Sequence, residues 1–259
     1  MFIRFHKYQG AGNDFILLDN RDGHYSLSPS GIKSLCDRRF GIGADGLLLL
    51  GTCNGYDFSM EYFNADGKLA EMCGNGGRCL VAFAQKLQII PRKAFFLAGD
   101  GAHEARVLED GRIDLHMRDV SGIKSYHGAV ILNTGVPHYV QFVDDLEQVD
   151  VVLEGRRIRY SEEFAAEGIN VDFLSGGLEG LHIRTYERGV EAETLACGTG
   201  VTAAALAAGG PEHRTYIIPV HARGGDLEVK YDKTGDQEFR QIWLCGPATF
   251  VFQGEINLD

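Results

Sequence analysis

Long apolar runs are missing from this sequence. A membrane-spanning helix needs about 18 or more consecutive apolar residues, and the longest candidates here are "GLLLLG" and "VTAAALAA". The N-terminal stretch "MFIRFHKYQGAGNDF" mixes charge and glycine, whereas a signal peptide needs an unbroken apolar centre. We therefore expect a cytoplasmic protein with no membrane partner.

Positive charge is also scarce. The 259 residues include 25 Lys and Arg against 36 Asp and Glu, which gives a formal net charge of −11. No cluster of Lys and Arg interrupts this acidic balance. Because nucleic-acid binding requires a basic face, we expect no nucleic-acid partner.

The six cysteines are too few for a disulfide scaffold in a chain of this length. None of them forms a pair with the two-residue spacing of a zinc knuckle, so the sequence predicts no metal site. Four of them are expected to be small buried hydrophobes, namely Cys36, Cys53, Cys79 and Cys245. The other two, Cys73 and Cys197, each precede a glycine-rich turn and an apolar run, in "MCGNGGRC" and "LACGTG".

The chain shows signs of internal duplication. Cys73 and Cys197 lie 124 positions apart. Gly12 and Gly135, which each precede an apolar run that closes on aspartate, lie 123 positions apart. Two features at nearly one offset predict two halves with the same order of elements.

The coarse pattern is α+β, with many short strands and few helices. Predicted strands are rich in β-branched and aromatic residues and bounded by Gly, Asp or Asn; they include "DFILLDN", "GLLLLG", "YDFSMEYFN" and "GRIDLHM", then "HYVQFVDD", "LHIRTYERG", "RTYIIPV" and "DLEVKYD". Predicted helices are "SPSGIKSLCDRR", "GNGGRCLVAFAQKL" and "GTGVTAAALAAGG". The last is nearly all small and apolar, so we expect each lobe to be a strand-rich, barrel-like sheet around a central helix. We assign the lobes to residues 1–119 and 120–246, with the tail 247–259 returning to the first.

The two cysteine loops suit proton chemistry. A cysteine just before a helix lies near the positive end of the helix dipole, which predicts a lowered pKa and a thiolate. The adjacent glycines let a ligand approach the backbone, whose N–H groups can hold a carboxylate. With one such loop in each half, one thiolate could remove a proton from a stereocentre while the opposite thiol supplies another. Since a carbon acid is far weaker than a thiol, the loops would have to stabilise negative charge on the substrate.

Eight motifs occur in order along essentially the whole chain: "GAGNDF", "GIGADG", "FNADG", "MCGNGGRC", "GVPH", "INVDF", "YERGVEAETLACGTG" and "GPATFVF". Together they resemble the diaminopimelate epimerase family. The resemblance implies an enzyme that uses no cofactor and interconverts LL- and meso-diaminopimelate, an amino acid of lysine and peptidoglycan biosynthesis. It also implies a homodimer of two-lobed subunits, with the active site in the cleft between the lobes.

The resemblance assigns a role to each candidate site residue. It implies that Cys73 and Cys197 are the acid–base pair, and that His138 and Glu187 support them. It implies that the substrate-binding residues are Asn13, Asn64, Gly74, Asn75, Asn170, Glu187, Arg188, Gly198 and Thr199.

The residue types fit these roles but also permit plainer ones. Diaminopimelate carries two ammonium and two carboxylate groups, and Arg188 offers a bidentate fork to a carboxylate. Asn64 and Asn170 can both donate and accept hydrogen bonds, although asparagines in turns often bond only to their own backbone. His138 could equally be a structural histidine, and Glu187 an exposed charge at the end of a strand.

One motif departs from the family pattern. Where family members commonly read Gly-Asn-Pro-His, this chain has "GVPH", with Val136 at the asparagine position. Valine offers no hydrogen bond, so another amino acid, of the proline or hydroxyproline type, stays open as the substrate. Two non-enzymatic alternatives also stay open: a thiol switch in which Cys73 and Cys197 form a reversible disulfide, and a zwitterion-binding protein.

Overall fold

The structure, a computed structural model, describes residues 1–70 and 72–258. The chain divides into two compact units. The first comprises Met1–Leu115 together with the segment that begins at Pro247, and the second comprises His116–Gly246.

The first unit contains two helices among many strands. Its strands are β1 (Phe2–Gly10), β2 (Asn13–Asp19), β3 (Gly46–Gly51), β4 (Phe58–Asn64), β5 (Leu69–Ala70), β6 (Lys93–Ala98), β7 (Gly101–Val107) and β8 (Ile113–His116). Its helices are α1 (Pro29–Cys36) and α2 (Gly74–Lys86).

The second unit repeats this composition. Its strands are β9 (Val120–Ser121), β10 (Lys124–Tyr126), β11 (Ala129–Asn133), β12 (Pro137–Phe142), β13 (Asn170–Gly177), β14 (Gly180–Glu187), β15 (Ala192–Thr194), β16 (Thr215–Ala222), β17 (Gly225–Gly235) and β18 (Glu238–Gly246). Its helices are α3 (Val151–Arg159) and α4 (Gly198–Ala208). The last strand of the chain, β19 (Thr249–Asn257), pairs antiparallel with β1 in the first unit.

Strand pairing is the same in the two units. In the first, β1–β2, β3–β4, β4–β5, β6–β7 and β7–β8 are antiparallel, while β2–β3 and β4–β6 are parallel. In the second, β11–β12, β13–β14, β14–β15, β16–β17 and β17–β18 are antiparallel, while β12–β13 and β14–β16 are parallel. The prediction of an α+β fold with two similar, strand-rich lobes is therefore confirmed.

Each unit wraps its strands around one helix. Helix α2 contacts β1–β4, β7 and β19, and α4 contacts β11–β14 and β16–β18. Helix α4 is buried on nearly every side because its side chains are mostly Gly, Ala, Val and Thr, which let strands approach closely from all directions. Among the described residues, no helix combines the length and apolar character that crossing a membrane would require.

Strand β3 is a continuous run of buried leucines, Leu47–Leu50. The run does not alternate with polar residues because α2 contacts the strand and α1 contacts it too. A strand covered on both faces is expected to be apolar throughout. Each fully buried leucine stabilises the unit by about 1.5–3 kcal/mol relative to an exposed one.

Helix α3 is absent from the sequence-based prediction. It is strongly charged and contains a glycine, two features that weaken a helical signal. Its start was nevertheless readable, since the Asp150 side chain accepts a hydrogen bond from Leu153 N at 3.0 Å and caps the helix. The glycine is required by packing, because a Cβ on Gly155 would lie 2.4 Å from Cβ of Tyr186.

Candidate active site

Cys73 and Cys197 occupy the same place in the two units. Each is the residue immediately before the central helix of its unit, α2 or α4. Each backbone carbonyl accepts the first helical hydrogen bond, from Gly77 N at 2.7 Å and from Val201 N at 2.8 Å. The N–H groups at each helix start therefore lie beside a thiol, an arrangement suited to binding an anion.

In the first unit, Cys73 is half-buried beside the amide of Asn13. Its Sγ lies 3.8 Å from Asn13 Oδ1, and Asn13 Nδ2 donates to Asp45 Oδ2 at 2.7 Å. Because Asp45 fixes the nitrogen end of this amide, the oxygen end faces the thiol.

A network of ion pairs holds the Asp45 carboxylate that binds Asn13. Asp14 accepts from Arg38 at 2.6 and 3.0 Å, and its Oδ2 lies 2.7 Å from Lys7 Nζ. Arg38 also donates to Asp45 at 2.7 Å, which links the network to Asn13. Burial alone would raise the pKa of Asp14, but the hydrogen bonds from Arg38 and Lys7 hold it well below its usual range.

Asn75 is buried at the start of α2. Its Oδ1 accepts from Arg78 Nη2 at 2.7 Å, and Arg78 Nη1 donates to Gly74 O at 3.3 Å. The bond from Arg78 sets which way the Asn75 amide points. Asn64 is exposed at the end of β4, where its backbone forms a turn with Gly67 and Lys68.

In the second unit, a chain of hydrogen bonds runs inward from Cys197. Its Sγ lies 3.3 Å from Thr199 Oγ1, which lies 3.0 Å from His138 Nε2. His138 Nδ1 lies 2.6 Å from Asp172 Oδ2, and both of these side chains are fully buried. Thr185 Oγ1 donates to the other oxygen of Asp172 at 2.7 Å. The structure thus connects Cys197, Thr199 and His138, three predicted site residues.

Asn170 connects this chain to Arg188. Its Oδ1 accepts from Arg188 N at 2.7 Å, and its Nδ2 lies 3.4 Å from His138 Nε2. The guanidinium of Arg188 donates to Glu167 O at 2.9 Å through Nη1. Glu187 is half-buried at the end of β14, and its charge acts on Cys197.

The pKa of Cys197 is raised well above the usual value for a thiol. Burial is the largest cause, followed by the carboxylates of Glu187 and Asp172, while hydrogen bonds from Thr199 and the backbone of Gly200 act in the opposite direction. The expectation of a lowered pKa was therefore wrong for this thiol, because burial and nearby negative charge outweigh the helix start.

The remaining cysteines are free thiols. Cys36, Cys79 and Cys245 are buried as predicted, whereas Cys53 is only half-buried. Burial raises the pKa of Cys36 to about 11 and that of Cys79 to about 12. Within residues 1–70 and 72–258, no three His, Cys, Asp or Glu side chains converge in a way that could hold a metal ion.

Sequence reasoning missed Asp172 and Thr185. Asp172 lies in the apolar-looking stretch "INVDF", and a buried carboxylate is not expected in the middle of a strand. The second glycine of "GTG", Gly200, was a possible signal, because α4 passes so close to the Asp172 carboxylate there that no side chain fits. A Cβ on Gly200 would lie 2.5 Å from Asp172 Oδ1.

Solved structures share this two-unit fold. A Bacillus anthracis phenazine biosynthesis protein of the PhzF family has a TM-score of 0.75 over 99% of both chains, at 14% identity. A probable proline racemase from Agrobacterium radiobacter has a TM-score of 0.71 over 99% of this chain and 93% of its own, at 13% identity. A hydroxyproline epimerase from Agrobacterium vitis has a TM-score of 0.70 over 100% of this chain and 93% of its own, also at 13% identity. The fold therefore defines a class of two-unit proteins in which each unit encloses one helix.

Sequence comparison identifies the family of this chain. The family model described as diaminopimelate epimerase matches residues 5–121 and 130–251. A diaminopimelate epimerase of Flavobacterium psychrophilum is 48% identical over 98% of this chain and 100% of its own. A diaminopimelate epimerase of Chlorobaculum tepidum is 44% identical over 96% of this chain and 99% of its own. The chain belongs to the diaminopimelate epimerase family.

Proposed function

We propose that this chain is an isomerase that interconverts LL- and meso-2,6-diaminopimelate by moving a proton at one Cα. The observation that carries the proposal is the matched pair of thiols, each placed immediately before a central helix in a chain of this family. The relatives named diaminopimelate epimerase are up to 48% identical over nearly their full length, which supports the same substrate.

In the proposed reaction the two thiols exchange roles. One thiolate removes the Cα proton, and the other thiol delivers a proton to the opposite face of the same carbon. In the reverse direction the two sulfurs swap tasks, so the protein returns to its starting form. The raised pKa of Cys197 favours its thiol form, which supports Cys197 as the proton donor in the resting protein. Cys73 would then be the base that accepts the first proton.

The energetic difficulty lies in the substrate. The α-proton of an amino acid is a far weaker acid than a thiol, and each unit of pKa mismatch costs about 1.36 kcal/mol. Groups that bind the adjoining carboxylate can reduce this cost as negative charge develops. We assign this task to the two helix starts, namely Gly74 and Asn75 in one unit and Gly198 and Thr199 in the other.

The remaining predicted residues would recognise the rest of the zwitterion. Arg188 would bind the distal carboxylate, since a guanidinium offers two parallel donors. Asn13, Asn64 and Asn170 would accept from the ammonium groups through their side-chain oxygens. His138 and Glu187 would support the thiols, and the bonded chain between His138 and Cys197 is consistent with that role.

The proposed chemistry uses no cofactor, because the two thiols and the helix starts supply the base, the acid and the charge stabilisation. We further propose that the protein is cytoplasmic and, as the resemblance to the family implies, a homodimer. Reduced thiols suit that compartment.

Val136 favours one alternative substrate. It stands where family members commonly have asparagine, so a different amino acid with one fewer polar contact is the second candidate substrate. The alternative keeps both thiols and changes only what Arg188 and its neighbours recognise.

A direct assay decides between these substrates. Protein treated with a metal chelator and dialysed free of pyridoxal phosphate is incubated with LL-diaminopimelate, and the meso form is measured by chiral chromatography. Proline and hydroxyproline are tested in parallel. The proposal expects rapid conversion of diaminopimelate alone. Turnover of only the other amino acids would establish the alternative, and turnover of none would contradict both.

A further inference from the structure

The chain of hydrogen bonds behind Cys197 extends further than the proposed reaction requires. It passes through Thr199 and His138 and ends at Asp172, with Thr185 behind the carboxylate. His138 and Asp172 are fully inaccessible to solvent, and Thr185 is buried. A buried carboxylate and imidazole are costly to fold unless each hydrogen bond is made, so their function needs an explanation.

The geometry fixes which nitrogen of His138 carries the proton. A carboxylate can only accept hydrogen bonds, so Nδ1, which lies 2.6 Å from Asp172, must be the donor. Asn170 points to the same tautomer. Its oxygen is held by Arg188 N, so its NH2 group is the end that lies 3.4 Å from Nε2. Nε2 is therefore the acceptor, and Thr199 lies at hydrogen-bonding distance from it.

We propose that Asp172 is a positioning residue for this reaction: supported by Thr185, it holds His138 in the Nδ1–H tautomer. The imidazole can then take the Cys197 proton through Thr199 in the direction in which Cys197 serves as the base, and return it in the direction in which Cys197 serves as the acid. This inference rests on the proposed function. The Cys197 S–H bond breaks as a new O–H bond forms on Thr199, and the original Thr199 proton passes to His138 Nε2. The products are a thiolate and an imidazolium, and no other reactant is needed.

The bonds between Cys197, Thr199, His138 and Asp172 remain satisfied in both states, while Asn170 Nδ2 loses its acceptor when Nε2 becomes protonated. Before transfer, the thiol donates to Thr199 and Thr199 donates to Nε2. After transfer, the imidazolium donates to Thr199 and Thr199 donates to the thiolate. Asp172 keeps its negative charge throughout and faces the imidazolium directly, which stabilises the transferred proton.

Such a proton acceptor answers a specific need of Cys197. A lone thiolate at this buried position would face the carboxylates of Asp172 on β13 and Glu187 on β14. Moving the proton to His138 leaves the net charge of the group unchanged, because an imidazolium forms as the thiolate does. The raised pKa of this thiol is the expected state while the proton remains on sulfur.

The equivalent positions in the first unit are apolar. Phe15 and Leu48 lie in the parallel pair β2–β3 at the places that His138 and Asp172 occupy in the parallel pair β12–β13. Both are fully buried, and neither side chain can transfer a proton. The duplicated backbone alone therefore does not require a carboxylate–imidazole pair, and its presence in the second unit points to a task for Cys197.

Two isosteric variants and a control test the proposal in the full chain. Asp172→Asn can donate to Nδ1 and so permits the wrong tautomer, while Thr185→Val removes only the support of the carboxylate. The control is Thr202→Val. It removes a buried hydroxyl of α4 that donates to Gly198 O at 3.0 Å and takes no part in the hydrogen-bond chain from Cys197 to Asp172. The proton on His138 is located by NMR of protein carrying ¹⁵N-histidine, with the signal assigned through His138→Gln.

In the wild type, the proton should lie on Nδ1. In Asp172→Asn it should move to Nε2, with kcat at least about a hundredfold lower, since the corresponding change in a Ser-His-Asp triad lowers kcat by about 10⁴. Thr185→Val should lower kcat by about three- to tenfold, and Thr202→Val should leave it within twofold. Alkylation by iodoacetamide, followed by mass spectrometry, should slow at Cys197 in Asp172→Asn and stay unchanged at Cys73.

Three results would overturn the inference: an unchanged tautomer in Asp172→Asn, an unchanged alkylation rate at Cys197, or equal losses of kcat in Thr202→Val and Thr185→Val. If Asp172→Asn does not fold, the test is the comparison of kcat between Thr185→Val and Thr202→Val. A wild type that does not convert diaminopimelate would contradict the proposed function instead, because the tautomer and alkylation measurements need no substrate.

Discussion

Cys73 and Cys197 have nearly the same backbone conformation, with φ −112° and ψ 121° at the first and φ −106° and ψ 113° at the second. Their surroundings differ. Cys73 is half-buried beside the amide of Asn13, whereas Cys197 is buried beside the hydroxyl of Thr199. The two units therefore present their thiols in the same way while differing in the groups that could move a proton to or from them.

Both thiols should be essential. Cys73→Ala and Cys197→Ala should each lower epimerisation by at least about 10³-fold, because each removes one of the two groups that handle the proton. Cys53→Ala, which removes a half-buried thiol outside the proposed site, should retain normal activity. Circular dichroism checks that the fold is intact. A folded single mutant with more than a tenth of wild-type activity, a loss below about 1.4 kcal/mol, would contradict the paired-thiol account.

Arg188 should determine recognition of the distal carboxylate. Arg188→Lys should raise KM for diaminopimelate by about tenfold or more, because an ammonium cannot reproduce a bidentate grip. The matched control is Arg157→Lys on the exposed face of α3, where Arg157 pairs with Glu154 at 2.9 Å. Steady-state kinetics on both variants provide the comparison. Equal KM values for the two would show that Arg188 does not bind the substrate.

Asp14 should contribute stability that depends on pH. Its folded pKa lies below the unfolded value of about 3.9, so its contribution is complete above that value and is lost as pH falls through the folded pKa. Asp14→Asn should lower the free energy of unfolding by about 1–3 kcal/mol at pH 7, and the difference from wild type should shrink below about pH 4. Asp144→Asn, at an exposed position, is the control. Urea titrations at several pH values test this, and a difference that grows in acid would be the wrong sign.

Gly155 should be irreplaceable in α3. Gly155→Ala should destabilise the second unit by about 1–3 kcal/mol or more, because the new methyl group would lie 2.4 Å from Cβ of Tyr186. Leu153→Ala in the same helix removes an exposed side chain and should cost less than about 0.5 kcal/mol. Thermal unfolding of both variants measures the difference. A neutral or stabilising Gly155→Ala would show that α3 can move away from β14.

The duplicated fold was readable from the sequence because its signals are local. Glycine turns, apolar runs and cysteine loops recur at nearly one offset, and the helices predicted from them at Gly74 and Gly198 begin where the structure places them. Helix α3 was not readable in the same way. Its glycine weakens the helical pattern, and that glycine is explained only by Tyr186, which is distant in sequence.

The candidate site was readable only in part, for a similar physical reason. Glycine turns and cysteines mark the helix starts, but the protonation state of Cys197 depends on burial and on Glu187 and Asp172, which approach through tertiary structure. Asp172 meets His138 only because β12 and β13 pair in parallel. Local sequence can suggest that a thiol is reactive, whereas its pKa is set by residues from other strands.

The path of the proton tests the two-thiol account most directly. In deuterated water, the donor thiol carries deuterium exchanged from solvent, and the thiolate receives hydrogen from the substrate. A single turnover should therefore place deuterium at the reacting Cα of the product, while substrate recovered at the same moment still carries hydrogen. The same pattern should appear from either stereoisomer, since the two sulfurs exchange roles with direction.

The measurement is a rapid quench of enzyme in excess over LL-diaminopimelate in deuterated water, followed by chiral separation and mass spectrometry of both isomers. The account predicts labelled meso product beside unlabelled LL substrate at the earliest times. A single base that swings between faces would instead return the substrate's own proton. Early product that retains its original hydrogen would therefore contradict the two-thiol mechanism.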